Sequence, residues 1–176
     1  LAASVAGLDL VSWAWHRANH ALPVLWRFHR VHHADPVVTA STSLRFHPGE
    51  ILLSLPVRLA AIALLGAPLA GVLAFEAVFG AANALEHGNF DLPAGLEQAL
   101  ERAFVTPALH RRHHSVSRAE HDANYGTIFS FWDRLGRSRC PGASRDRFPI
   151  GLPPGATGAP RSLSAMLLEP FRAATR

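Results

Sequence analysis

Lysine is absent from this chain, and cysteine, methionine and tyrosine occur once each. The 17 basic residues are therefore all arginine, against 13 acidic residues, giving a formal charge of +4. With Cys140 alone there is no intrachain disulfide and no cysteine-rich zinc site. Charged residues make up only 17% of the chain, and the arginines do not alternate with aromatics. Single-stranded nucleic-acid binding thus has no support, and no nucleic-acid motif accompanies the basic excess. That excess suits anionic lipid headgroups, or plain solvation. No cleavable signal peptide is evident. Also missing is the Glu-x-x-His pair that carboxylate-bridged di-iron bundles use.

Histidine is what the chain has in quantity, with 11 residues. Eight of them fall in three clusters: His16-Arg-Ala-Asn-His20, His29-Arg-Val-His32-His33 and His110-Arg-Arg-His113-His114. Positions i, i+3 and i+4 share a helical face, so each cluster points its rings one way. Neutral imidazole suits iron, zinc, copper or nickel. One ion takes roughly three to six ligands, so eight are too many for one centre and enough for two. The pattern points to a dinuclear site held wholly or almost wholly by histidine. A histidine tag or buffering tract would be one continuous run, and these clusters are separated.

The apolar fraction is 49%. Residues 1–22 read as a helix, either the end of a transmembrane span or a buried core helix. Asp9 lies two turns before His16, placed to accept from a ring N–H, to cap a helix or to make a polar contact in a bundle. Pro23 is placed to start the helix of the second cluster, and residues 34–47 read as loop. Ile51–Leu65 and Leu69–Leu85 form two apolar runs parted by Gly66-Ala67-Pro68, a hairpin whose arms approach bilayer thickness. Pro56 is expected to kink the first arm. Gly71, Gly80, Ala81 and Ala82 would permit close helix packing in lipid. The hairpin returns the chain at His87, which makes His87 a ligand candidate with Asn83 one turn before it. Whether Asn83, His47 or His121 joins the site is left open. A short amphipathic helix is expected over 94–104, loop over 136–161 and a last helix over about 162–174.

Several segments together resemble one known family. The three clusters look like the histidine boxes of the fatty acid hydroxylase / sterol desaturase superfamily. Arg45-Phe-His47-Pro48-Gly-Glu50 is similar to its Arg-x-His-Pro-x-Glu segment, and His87-Gly-Asn89 to its His-x-Asn segment. Asn124-Tyr125-Gly126 and Trp132-Asp133-Arg134-Leu135 look like its Asn-Tyr-Gly … Trp-Asp-Arg signature. Two departures stand out. The chain starts just ahead of the first box, where the family has further transmembrane helices. Leu135-Gly136-Arg137 also stands where Phe-Gly-Thr is common.

The resemblance implies an all-α integral membrane helical bundle, with a transmembrane hairpin and a cytosolic histidine-rich helical cap. It implies a family domain over 1–137, lacking N-terminal transmembrane helices, followed by a Gly/Pro/Arg-rich tail over 138–176 with a short amphipathic helix. It further implies two Fe ions, for which zinc can substitute in a purified sample, and O₂-dependent hydroxylation or desaturation of a lipid. The ligand set on this reading is His16, His20, His29, His32, His33, His87, His110, His113 and His114, with no catalytic residue beyond the ligands. Electrons would come from a cytochrome b5-, ferredoxin- or flavoprotein-like donor. The rival readings are a non-enzymatic metal-binding membrane protein and a zinc-dependent membrane hydrolase. The latter would need a glutamate base near the metal, which the boxes lack.

Overall fold

The computed structural model describes residues 1–140, 148–152 and 162–172. Among them are nine α-helices and no named strand. The helices are α1 Ala2–Ala21, α2 Pro23–His33, α3 Pro48–Leu64, α4 Leu69–Glu86, α5 Ala94–Leu100, α6 Pro107–His113, α7 Arg118–His121, α8 Phe131–Leu135 and α9 Leu163–Leu168. Two 3-10 turns, Ala40–Leu44 and Glu169–Phe171, complete them. Prolines open three of the histidine-bearing or adjoining helices: Pro23, Pro48 and Pro107 each begin one. Proline fits there because its fixed φ is helical and its missing N–H has no partner to lose.

α1 is the hub, packing on α2, α3 and α4. Gly71 lets α4 come close, since a Cβ there would fall 2.4 Å from the Ser4 Oγ. Ala82 packs against the core as well, whereas a Cβ added at Gly80 would meet no neighbour within 4 Å. The apolar core is small: Leu8, Ala61, Phe75 and Ile128, flanked by Val5, Val11, Ile62 and Phe79. Half of the twelve largest fully buried side chains are histidines instead.

The expected hairpin forms as α3 and α4, joined through Gly66 at φ +57°. Pro56 sits within α3 without ending it. Ile51, Leu52, Leu59, Leu64, Leu69 and Leu73 are each more than half exposed on its outside. By length and composition α4 is the one described helix fit to cross a bilayer, with mean hydropathy 1.4 and only 17% of it buried. Two other expectations are shortened. α5 stops at Leu100, and Phe104 pairs across to Phe129 instead of extending it. The last helix stops at Leu168, where Glu169–Phe171 turns onto α2. Glu169 is fully buried there, paired with the buried Arg30. The tail expected over 138–176 is otherwise seen only in part, because 141–147, 153–161 and 173–176 lie outside the described residues.

Asp9 makes a bundle contact. Its carboxylate accepts from the Ile128 and Phe129 backbone N–H and from the Trp132 indole N–H, and so ties α1 to the segment before α8. Asp133 does the same from the other side. It accepts from the Tyr125 and Gly126 N–H, the Trp13 indole and the Ser138 hydroxyl, at 2.7–2.9 Å. The Asn-Tyr-Gly and Trp-Asp-Arg segments are thus one structural unit, with Asn124 left-handed at φ +57°.

Candidate metal centre

All nine histidines proposed as ligands gather in one interior region. They fall into two groups, His16, His20, His29, His33 and His113 in one and His32, His87, His110 and His114 in the other. In each group the potential ligand atoms lie within 4.8 Å of one another. The groups abut: the His33 and His114 rings stack at 4.4 Å. α1 supplies two rings, α2 three, the end of α4 one and α6 three, with His114 just beyond its last residue. The i, i+3, i+4 spacing thus splits the second and third boxes between the two groups, since His32 and His33 go separate ways, as do His113 and His114, while His16 and His20 stay together.

The backs of the rings are held by acceptors. His16 Nδ1 donates to the Tyr125 carbonyl and His113 Nδ1 to the Ala123 carbonyl, at 2.9 and 2.7 Å. His87 Nδ1 donates to the Asn83 carbonyl at 2.7 Å. His29 Nδ1 donates to Glu50, also at 2.8 Å, and the same Glu50 oxygen accepts from Asn19. A carbonyl can only accept, so the proton sits on Nδ1 and a neutral ring turns a bare Nε2 inward. The Nε2 atoms of His16, His29 and His113 are buried with no hydrogen-bond partner. A buried lone pair without a partner is costly unless a cation fills the space.

The second group is tighter. His87 Nε2 lies 3.1 Å from His32 Nε2 and 2.9 Å from His110 Nε2, which lies 3.1 Å from His114 Nε2. Lone pairs converging at that distance repel. Metal–nitrogen bonds of about 2.0–2.1 Å place neighbouring ligand nitrogens about 2.9–3.4 Å apart, so the spacing suits one shared ion. The donor set, imidazole nitrogen throughout, matches a first-row transition metal.

Burial also sets the charge state. Removal from water, then mutual repulsion among the rings, holds His32, His33, His110, His113 and His114 well below the ordinary histidine value. His87 is pushed down to about 4 by burial. These six rings therefore stand neutral near pH 7, with no proton for a metal to displace.

A cavity of about 300 Å³ adjoins both groups. Its wall includes His16 and His29 of one group and His32, His87 and His110 of the other. The remaining wall is mostly apolar, with Leu8, Val11, Ile62, Phe75 and Phe79, and Arg58 and Glu76 pair with each other on it.

Three residues left open in the sequence take different places. His47 caps α3 by accepting from the Gly49 N–H, and its other nitrogen meets the Leu167 carbonyl, so it stands outside both groups. The Asn83 amide donates to the Ser43 carbonyl. His121 does meet the first group, its ring 4.5 Å from His33 and 4.8 Å from His20. Of the box arginines, Arg111 pairs with Asp91, Arg30 with Glu169, and Arg17 donates to the Gly136 carbonyl. Glu50, given no role from sequence, proves to orient His29. Its signal was the Arg-x-His-Pro-x-Glu segment, but the pairing partner is 21 positions away.

The family model described as Fatty acid hydroxylase matches residues 1–138. An ornithine lipid hydroxylase of Rhizobium tropici is 40% identical over 91 residues, which cover 52% of this chain and 27% of that protein. The chain thus spans only about a quarter of the length of that relative. No solved structure matches the chain.

Proposed function

Since the chain belongs to the fatty acid hydroxylase family, we propose that it is the metal-bearing part of an O₂-dependent lipid hydroxylase, with two iron ions held by the nine histidines. The observation that carries this is the pairing of two convergent, neutral, all-nitrogen groups with an apolar cavity that touches both. Bound there, iron would supply O₂ activation and oxidation of an unactivated C–H bond, which no side chain of the site can do.

The chain's own residues do the rest. Backbone carbonyls and Glu50 hold the rings with Nε2 inward. Leu8, Val11, Ile62, Phe75 and Phe79 offer an alkyl chain a dry bed beside the histidines. α3 and α4 enter the bilayer as a hairpin of about 26 Å, near the thickness of a hydrocarbon core, with their exposed leucines in lipid. The histidines then lie at the cytosolic face, where a separate donor protein delivers electrons. The substrate is a polar lipid, with an ornithine-type headgroup as the first to try.

A zinc hydrolase is the poorer reading. The carboxylates nearest the rings meet them on the Nδ1 side: Glu50 behind His29, Asp122 3.5 Å from His20 Nδ1 and Glu86 3.6 Å from His110 Nδ1. A metal-bound water would need its base beside the inward Nε2 atoms instead.

The test is metal analysis with Mössbauer spectroscopy on protein made with ⁵⁷Fe and kept anaerobic, followed by mass spectrometry of lipids from expressing cells. Two irons per chain, a signal that changes with O₂ and a lipid that gains one oxygen atom are expected. A chain that binds no iron after anaerobic reconstitution would refute the proposal.

A further inference from the structure

One group of ligand atoms reaches beyond the nine. His20, His121 and Asp122 bring theirs within 4.8 Å of one another, and His20 belongs to the five-histidine group as well. His121 is buried like the ligands. Its ring sits against His20, His33 and Trp26. Asp122 differs from all of these, because it reaches water: its side chain is 36% exposed, whereas that of His20 is 1% exposed. One Asp122 oxygen lies 3.5 Å from His20 Nδ1, and the other pairs with Arg118. That pair is an i, i+4 contact with a guanidinium side chain that is 70% exposed. Such a surface pair contributes little and gives way readily to a divalent ion.

The arrangement therefore grades from solvent to interior. An exposed carboxylate leads to a nearly buried imidazole, and that to a fully enclosed ring shared with the main group. Two imidazoles and one carboxylate suit a divalent first-row ion. Carboxylate in the set makes the position more attractive to a hydrated cation than neutral histidines alone.

We propose that His121 and Asp122, with His20, form a capture position at which a divalent metal ion first binds from water before it passes to the five-histidine group. The proposal rests on the reading of that group as a metal site, and it concerns how the site fills rather than what it does when full. Asp122 and His121 would speed loading and be dispensable for final occupancy.

The experiment uses the full chain in detergent, stripped with a chelator, and Co(II) as the probe, since its visible absorption reports coordination. Uptake is followed by stopped flow, and bound cobalt per chain is measured after equilibration. Asp122→Asn removes the charge at an exposed position, and His121→Gln removes the ligand. Asp91→Asn, an exposed carboxylate in neither group, controls for net charge. Thermal melting of each variant confirms folding. Asp122→Asn and His121→Gln are expected to load roughly tenfold more slowly, with the same final cobalt content and with Asp91→Asn unchanged. Equal rates in Asp122→Asn and wild type would overturn the proposal. So would an equal slowing by Asp91→Asn, or a lower final cobalt content, which would make Asp122 a permanent ligand. A wild-type chain that takes up no cobalt would instead refute the metal-centre reading itself.

Discussion

Replacing Glu50 separates the work of its charge from the work of its shape. Its Oε1 accepts from His29 Nδ1 at 2.8 Å and from Asn19 Nδ2 at 3.1 Å, and the residue is 6% exposed. Glu50→Gln keeps an acceptor of the same reach but exchanges a charge-assisted bond, worth about 1.5–3 kcal/mol, for a neutral one worth about 0.5–1.5. The loss is about 1 kcal/mol, or about fivefold in affinity for the ion that His29 ligates. Glu50→Ala removes the acceptor. Both donors are then buried without a partner, and His29 is free to move its proton to Nε2 and lose the inward lone pair. Loss of such a support costs roughly 10–100-fold in metal affinity, which is about 1.4–2.7 kcal/mol. The assay is anaerobic competition for Fe(II) against a chromophoric chelator, with melting curves to exclude unfolding. Wild type should bind most tightly, then glutamine, then alanine, with His29→Ala weakest. Alanine binding as tightly as wild type would show that the carboxylate does not position the ring, and the reasoning from ring backs to metal affinity would fail with it.

Four further outcomes follow from the same geometry. In the metal-free chain, burial puts His87 and His121 at about 4, below the ordinary 6.5 of an unfolded histidine; their contribution is intact above pH 6.5 and is lost as pH falls toward 4, about 3 kcal/mol for each. The denaturant midpoint should drop between pH 7.5 and pH 5, and a flat profile would contradict the burial argument. Glu169→Ala strands the Arg30 guanidinium and should cost about 3 kcal/mol or more, while the paired change Arg30→Met with Glu169→Leu should recover most of it, both read by melting temperature. Asp133→Ala leaves four buried or half-buried donors unmet; at about 1–3 kcal/mol for each, less than additive, it should cost upward of about 3 kcal/mol and lower iron content through the Tyr125–His16 bond. Ile62→Trp, on the cavity wall away from the histidines, should leave iron content unchanged and reduce lipid turnover at least tenfold; full turnover would move the substrate elsewhere.

Local periodicity carries far in this chain. Helical spacing rightly kept His16 and His20 together, and Pro23 marked the start of α2. The hairpin was legible from two apolar runs and the Gly66 turn. What spacing could not show is how a box divides: His32 and His33 are neighbours in sequence, yet belong to different groups because α2 lies between two sets of partners. Asp9 likewise had a plausible partner two turns away in His16. The backbone N–H groups that claim it, at 128 and 129, arrive only when the chain folds back. Glu50 and the Ala123 and Tyr125 carbonyls escaped notice for the same reason. A carbonyl has no letter of its own, and tertiary acceptors leave no periodic trace.

The first group takes four of its five rings from residues before position 34 and the fifth from His113. The second has two before α6 begins and gains the other two from it. A chain still being made would thus hold most of one ligand set early, yet without the carbonyls at 123 and 125 that choose the proton positions. Six imidazoles would wait, His29 and His87 already held by Glu50 and Asn83 but His16 without the carbonyl that fixes its proton. Only after the turn at Asn124 closes are the protons of His16 and His113 fixed, so order of synthesis places that step last. Long-range closure of this sort is slow relative to helix formation. Metal supplied too soon, before that turn has formed, would meet a coordination sphere in which His16 is not yet aimed.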